Sequence, residues 1–141
     1  MRILRRIGIA AIGALLVFGA GMLSAAPAQA DYADCPNESG YLCFWVSPNY
    51  GGRMGKVSGT NDDWRQLQVG CGGSQGWDNC ASAIRNEGLN CEAVVYEHSK
   101  AAGRGASWVI NRDTYATDLR QWGKPSGGNW DNVISSNTWW C

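Results

Sequence analysis

The sequence predicts an all-β domain, a sandwich or barrel built from short strands. Three observations support this prediction. Short apolar runs at residues 42–46, 93–96 and 107–110 are separated by Gly, Asn, Asp and Ser about every ten residues, which is typical of sandwiches and barrels. No stretch beyond residue 30 keeps a 3.6-residue apolar period, so no long amphipathic helix is expected. The third observation is an internal repeat of about fifty residues.

The repeat has three landmarks in the same order in each copy. Trp45 and Tyr96 are each followed, after six residues, by Gly-Arg. Residues 63–67 then correspond to 118–122, and residues 76–82 correspond to 129–135. The offsets are 51, 55 and 53 residues, which small insertions and deletions explain. Two copies are too few for a solenoid, so they predict a paired, pseudo-symmetric domain. Residues 63–67 and 117–122 are each expected to form one helical turn.

Residues 1–30 have the pattern of a secretory signal peptide. Three arginines, an apolar stretch at 7–23 and the small-x-small sequence at 28–30 follow one another in the order that export signals require. A retained N-terminal membrane anchor is the alternative. The remaining residues, 31–141, are predicted to form a single domain, with motif one at about 41–88 and motif two at about 91–141.

The charge of the remaining chain excludes two classes of function. Three of the twelve Lys and Arg lie in the leader, whereas all twelve Asp and Glu lie beyond it, so residues 31–141 carry about −3. A nucleic-acid binder normally presents a basic face, and a polybasic membrane-surface protein needs one. Neither partner is therefore expected, and no second apolar run is long enough to span a bilayer.

The six cysteines all lie beyond the leader. An even number in a short exported chain predicts disulfides, and the lack of a C-x-x-C motif and the single histidine exclude a zinc site. Six cysteines allow fifteen pairings, and the sequence alone does not choose among them. The pairing we expect is Cys35–Cys43, Cys71–Cys80 and Cys91–Cys141.

Catalytic function is not expected, and no catalytic residue is assigned. His98 is the only histidine, lies in a predicted turn, and is expected to be solvated. No nucleophile elbow surrounds a serine, and the glycine-rich string at 70–76 lacks the Lys-Ser/Thr that follows a phosphate-binding loop. Twelve acidic residues always allow some carboxylate pair, so that signal does not point to a glycosidase.

Two segments are candidates for calcium binding. Residues 131–136 combine an acid, an amide and two hydroxyls, and residues 78–83 match them at the first, second and fifth positions. Calcium prefers such hard oxygen ligands, although the same residue types also form turns through their side chains. Among the eight tryptophans, Trp45, Trp77 and Trp130 are expected in the core, and Trp140 is the one most expected at the surface, where it would stack on a sugar or anchor an interface.

These features together resemble the Greek-key motif of βγ-crystallins. The resemblance rests on an aromatic residue, six residues and Gly, followed 26 to 28 residues later by Asp-Asn-x-x-Ser, and it covers nearly all of residues 31–141. The opening residues Cys35-Pro36, 40–45 and 49–52, with the signal peptide and the cysteines, are similar to the secreted peptidase-inhibitor family of that fold, whose namesakes are the streptomycete metalloproteinase inhibitors. The resemblance implies two four-stranded Greek keys packed as a sandwich.

The resemblance also implies two calcium sites between the motifs. In each, the hydroxyl and a carbonyl of one motif join an amide side chain of the other. The first set is Ser82, the carbonyl of Cys80, Asn132 and the carbonyl of Val46. The second set is Ser135, the carbonyl of Val133, Asn79 and the carbonyl of Glu97. Ala83 replaces a serine of the family pattern in motif one, and Cys80 is a cysteine at a ligand position, so the first set departs further from the family.

The resulting expectation is a secreted, extracellular and monomeric inhibitor of a metallopeptidase, acting through a rigid loop that blocks the cleft of the enzyme. Candidate loops are residues 47–52, 70–76 and 123–128, and no reactive-loop motif chooses among them. The alternatives are a non-inhibitory calcium- or carbohydrate-binding module, with antimicrobial action included, and a structural domain of the cell surface.

Overall fold

The computed structural model describes residues 32–68, 70–71 and 75–141. The signal-peptide prediction for residues 1–30 therefore lies outside the described residues. Within the described part the strands are β1 (Tyr41–Ser47), β2 (Gly51–Val57), β3 (Ala83–Glu87), β4 (Glu92–Tyr96), β5 (Ser107–Ile110), β6 (Tyr115–Ala116) and β7 (Ser136–Trp140). Short 3-10 turns occur at Tyr32–Asp34, Trp64–Gln66, Lys100–Ala102 and Leu119–Gln121. None of the helical segments described is long and apolar enough to span a bilayer.

The strands form two antiparallel sheets, as the all-β prediction required. One sheet has the order β2-β1-β3-β6 and the other the order β5-β4-β7. The first three strands of the larger sheet belong to motif one, whereas β6 belongs to motif two and pairs with β3 through Ile84 and Arg85. In return, Asn61 of motif one forms an isolated bridge with Asn137 of β7. Two Greek keys of four strands each were expected, but the described residues form a four-stranded and a three-stranded sheet, because the eighth strand is reduced to one bridge.

The core lies between the sheets and contains the tryptophans that the repeat placed there. Trp77 and Trp130 are buried against it together with Trp64, which is fully buried. Phe44 stacks on Trp64 with ring centroids 4.3 Å apart and meets Trp77 edge-on at 4.8 Å. Such aromatic pairs add to the stability already gained from burial. Trp45 is also buried, but in a second cluster on the outer side of the larger sheet.

The N-terminal segment 32–40 covers that outer side. The disulfide Cys35–Cys43 ties the segment to β1. Arg85 and Glu87 of β3 form a buried ion pair beneath the segment. Arg85 donates to the carbonyl of Cys35 at 3.3 Å and to Asn37 Oδ1 at 2.7 Å, and Glu87 Oε2 accepts from the amide of Glu38 at 2.9 Å. The buried charges therefore hold the segment in place by hydrogen bonds that compensate for their desolvation.

The other two disulfides join Cys71 to Cys80 and Cys91 to Cys141. All three pairs are those expected from the sequence, and no free cysteine is found among the described residues. Cys91–Cys141 links the first residue of motif two to the last, over a separation of 50 residues.

Candidate functional site

Each motif contains an equivalent hydrogen bond between its Asp-Asn-x-x-Ser segment and its first strand. The amide of Ser82 donates to the carbonyl of Trp45 at 2.7 Å, and the amide of Ser135 donates to the carbonyl of Tyr96 at 2.9 Å. These matching bonds confirm that Trp45 and Tyr96 occupy equivalent positions. Each bond joins the serine of an expected calcium ligand set to the residue that precedes the expected carbonyl ligand, Val46 or Glu97.

Asparagine positions the two sets across the interface. Asn79 and Asn132 have left-handed backbones, with φ of 56° and 54°, a conformation that asparagine tolerates better than most residues. The amide of Asn79 donates to the carbonyl of Ile134 at 3.0 Å, and the amide of Asn132 donates to that of Ala81 at 2.9 Å. The asparagine of each motif is therefore placed beside the expected ligand set of the other motif.

The second expected ligand set converges on one hydroxyl. Ser135 Oγ lies 2.9 Å from the carbonyl oxygen of Glu97, 3.4 Å from Asn79 Oδ1 and 3.5 Å from the carbonyl oxygen of Val133. The single proton of a hydroxyl satisfies one of these oxygens well. The four oxygen atoms of the second expected set thus lie close together. Oxygen atoms are the ligands that calcium prefers.

The first expected set is less complete. Ser82 Oγ lies 3.5 Å from Asn132 Oδ1, and among the described residues no hydrogen bond links Ser82 Oγ to the carbonyl of Cys80 or Val46. Cys80 is buried and held in a disulfide. The first set, in which Ala83 and Cys80 depart from the family pattern, is therefore also the set whose expected ligands are not all brought together.

The surroundings of the second set are polar and contain few acidic side chains. A shallow depression of about 200 Å³ at the second set is lined by Asp78 and His98 as well as Asn79 and Ser135. Within the described residues no three His, Cys, Asp or Glu side chains come together, so an ion there would depend mainly on neutral oxygens. His98 is exposed, as the sequence predicted.

A charged turn stands beside each set. Asp63 and Asp118 cap the two short 3-10 turns by accepting from the amides of Arg65 and Arg120 at 3.0 Å, so both predicted helical turns are confirmed. Hydrogen bonding from the Arg120 guanidinium lowers the pKa of Asp118 to about 2. The corresponding bond from Arg65 lowers the pKa of Asp63 and is the largest cause of the raised pKa of Arg65.

Among the candidate loops, residues 123–128 are exposed apart from Lys124 and are held by several hydrogen bonds. The bridge between Gly123 and Asn129 closes the loop, and the amide of Lys124 donates to the carbonyl of Gly128 at 3.1 Å. The Glu97 carboxylate accepts from Lys124 Nζ and, at 3.0 Å, from Ser126 Oγ. The hydrogen bond from Lys124 is the largest cause of the lowered pKa of Glu97. This role of the Glu97 side chain was missed in the sequence, where only its carbonyl was singled out.

The other two loops differ in kind. In residues 47–52, the amide of Asn49 donates to the carbonyl of Thr117 at 2.7 Å and the Tyr50 ring packs edge-on against Trp45 at 4.8 Å, so only a short tip is exposed. In residues 70–76, Arg53 Nη1 donates to the carbonyl of Gly70, and residues 72–74 lie outside the described part.

The exposed aromatic residues are not distributed as the repeat implied. Trp140 is 63% exposed, as expected, but Trp122 is also 43% exposed and Tyr115 is 56% exposed. Trp122 stacks on Trp108 with ring centroids 4.9 Å apart, and both line a groove on motif two. This groove was not predicted from the sequence, because the residues that form it come from three separate elements.

Comparison with known proteins agrees with the geometry. The sequence pattern described as "Peptidase inhibitor family I36" matches residues 28–110, more than half of the chain. No curated protein sequence matches the chain significantly.

Several solved structures share the fold. One, from work on the evolution of the eye lens βγ-crystallin domain fold, is 21% identical, with a TM-score of 0.55 over 74% of this chain and 87% of that one. A βγ-crystallin from Ciona intestinalis is 16% identical, with a TM-score of 0.51 over 70% and 98%. The NMR structure of spherulin 3A from Physarum polycephalum is 19% identical, with a TM-score of 0.50 over 74% and 85%. These likenesses establish a βγ-crystallin fold.

Proposed function

This chain belongs to peptidase inhibitor family I36, and on that premise we propose that it blocks an extracellular metallopeptidase with the loop at residues 123–128. Membership of the family indicates an inhibitor protein, not an enzyme, and implies a peptidase as partner. The metallopeptidase target follows from the resemblance to the streptomycete metalloproteinase inhibitors. The extracellular location is supported by three disulfides, which persist in oxidising compartments.

The observation that carries the proposal is the way Glu97 holds the loop. Its carboxylate bonds both Lys124 and Ser126, which stand on either side of Pro125. The loop is therefore ordered before a partner arrives, and a loop that is already ordered loses less conformational entropy on binding. Lys124 and Glu97 are only 9% and 17% exposed, so this ion pair is sheltered from solvent more than a typical surface pair.

The test is a titration of a thermolysin-type metallopeptidase with the purified, disulfide-bonded protein at constant calcium. Loss of peptidase activity near one-to-one stoichiometry is expected. A subtilisin-type serine peptidase serves as the comparison, and inhibition of that enzyme alone would show that the target class is wrong. Full activity of both enzymes at large excess of the protein would refute the proposal for both classes.

The loop assignment is tested with Glu97→Gln, which is expected to weaken inhibition at least tenfold because the loop is no longer held by a charge-assisted bond. Glu92→Gln is the matched control. Glu92 is the first residue of β4, the strand that Glu97 directly follows, and it has no ion pair among the described residues. Equal inhibition by the Glu97→Gln variant and the unmodified protein would place the inhibitory surface elsewhere.

We also propose that calcium binds at the second ligand set. Ser135, Asn79 and the carbonyls of Val133 and Glu97 would hold the ion, which would supply positive charge to a group of otherwise crowded oxygens. Binding to the folded state only would raise the melting temperature with calcium concentration. Ser135→Ala is expected to remove most of that rise, and Ser82→Ala less of it; an equal rise in the Ser135→Ala variant would refute the assignment.

A further inference from the structure

We propose that the groove on motif two binds an uncharged polysaccharide, independently of peptidase inhibition. The groove has a volume of about 260 Å³ and lies between the edge strands of the two sheets, β5 and β6. Three of the five large hydrophobic residues that are exposed in the described part line it, namely Val109, Tyr115 and Trp122. Such a concentration of exposed apolar side chains marks an interaction site.

The outermost ring of the groove is held rigidly. Trp122 stacks on Trp108, which in turn lies 5.9 Å from the buried Trp130, so three indoles lead from the core to the surface. The backbone of Trp122 is fixed on both sides, because its amide donates to the carbonyl of Leu119 at 3.3 Å and its carbonyl accepts from the amide of Trp130 at 3.0 Å. A ring fixed in this way offers its face to a ligand with little loss of entropy.

The internal repeat has a smaller, aliphatic residue at the position of the exposed indole. Motif one has Leu67 at the position of Trp122, and Leu67 is partly buried against the core. Trp108 of β5 pairs with Val95 of β4. In the equivalent pair of motif one, Gly55 of β2 pairs with Phe44 of β1, so the large ring is on the other strand. Trp108 therefore supplies packing volume that Phe44 supplies in motif one, and Trp122 covers Trp108 from the outside. The Trp122 ring is still 43% exposed, so part of it remains open to a ligand.

The polar groups of the groove indicate the class of ligand. None of the described residues that line it is charged, so a charged ligand would find no direct ion pair within the groove. Asn111 lies at one side, and within the described residues its side-chain amide and the Tyr115 hydroxyl make no hydrogen bond. Aromatic faces combined with unused neutral donors and acceptors suit the apolar faces and hydroxyls of pyranose rings. A charged protein surface is less well matched.

The experiment is titration of the full disulfide-bonded protein with cellohexaose and chitohexaose, followed by tryptophan fluorescence and calorimetry. Binding of at least one hexaose is expected. Trp122→Leu, which copies motif one, is expected to weaken binding at least tenfold. Tyr115→Ala, which removes another exposed ring of the groove, is also expected to weaken it. Trp140→Ala is the matched control, since Trp140 is more exposed than Trp122 but lies outside the groove.

Three outcomes would overturn the proposal. Neither hexaose binds at its highest soluble concentration, or Trp122→Leu binds as well as the unmodified protein, or Trp140→Ala loses as much affinity as Trp122→Leu. If Trp122→Leu weakens peptidase inhibition while neither hexaose binds, the groove contacts the peptidase and not a polysaccharide. Failure of peptidase inhibition alone leaves the expected sugar binding unchanged, so the two proposals are tested separately.

Discussion

The buried ion pair beneath the N-terminal segment makes a sharp prediction for Glu87→Gln. Glutamine has nearly the shape of glutamate but removes the charge that faces Arg85, and the two side chains are only 1% and 6% exposed. Removing one partner of a buried pair costs about 3–5 kcal/mol. Arg85 keeps its bonds to the carbonyl of Cys35 and to Asn37, so we expect the lower end, about 3 kcal/mol, a large share of the stability of a small domain.

Urea unfolding of the oxidised protein, followed by fluorescence, measures this loss through the midpoint at unchanged slope. The double variant Glu87→Gln with Arg85→Met is the informative comparison, because it removes both charges. It should be more stable than the single variant, as a buried pair replaced by apolar packing is often tolerated. A loss below about 1 kcal/mol for Glu87→Gln, or a double variant less stable than the single one, would refute this account of the segment.

The remaining predictions concern pH, cross-linking and packing. The pKa of Asp118, near 2 when folded against an ordinary 3.8, means that the Arg120 bond contributes stability above pH 3.8 and loses it as pH falls toward 2; Asp118→Asn should flatten the fall in melting temperature over that interval, and an identical pH profile would contradict the assignment. Opening Cys91–Cys141 with paired serines removes a cross-link over 50 residues and should lower the free energy of unfolding by about 4 kcal/mol, measured by denaturant titration; a loss under about 1 kcal/mol would contradict the chain-entropy argument. Gly55→Ala would place a Cβ 2.6 Å from Trp77 Cε2 and against Phe44, so a loss of about 1–3 kcal/mol is expected, and a neutral result in the same titration would show that the core adjusts freely.

The sequence predicted the fold class and the strands with clear apolar patterns. β5 begins and ends at the predicted residues, and β1 and β4 extend the predicted runs by one or two residues. β2 was not predicted because Gly51, Gly52 and Gly55 interrupt its apolar pattern. β3 was not predicted because its outward residues, Arg85 and Glu87, are charged and yet buried under another segment. Neither strand shows the alternation that single-sequence reading depends on.

The residues of the candidate site that occur in both copies of the repeat could be predicted from the sequence. The candidate serine and asparagine residues were identified because the same spacing occurs twice, and the structure brings Ser135 and Asn79 together as expected. The hold of Glu97 on the loop depends on a contact over 27 residues, and no spacing in the sequence signals such a contact. The exposure of Trp122 was not predicted. The repeat aligns Trp122 with Leu67, but an alignment of the motifs does not show which of two equivalent side chains is exposed.

The pairing of β3 with β6, and of Asn61 with Asn137, also limits when the two sheets can be completed during synthesis of the chain. As the chain is synthesised from its N-terminus, β1, β2 and β3 emerge first, but β3 stays unpaired on one side until β6 has been made. Asn61 likewise waits for Asn137, close to the end of the chain. Pairings between residues so far apart in the sequence form slowly, and an unpaired strand edge invites association with other chains. The nascent protein therefore has a period of vulnerability that ends only when its last strand is available.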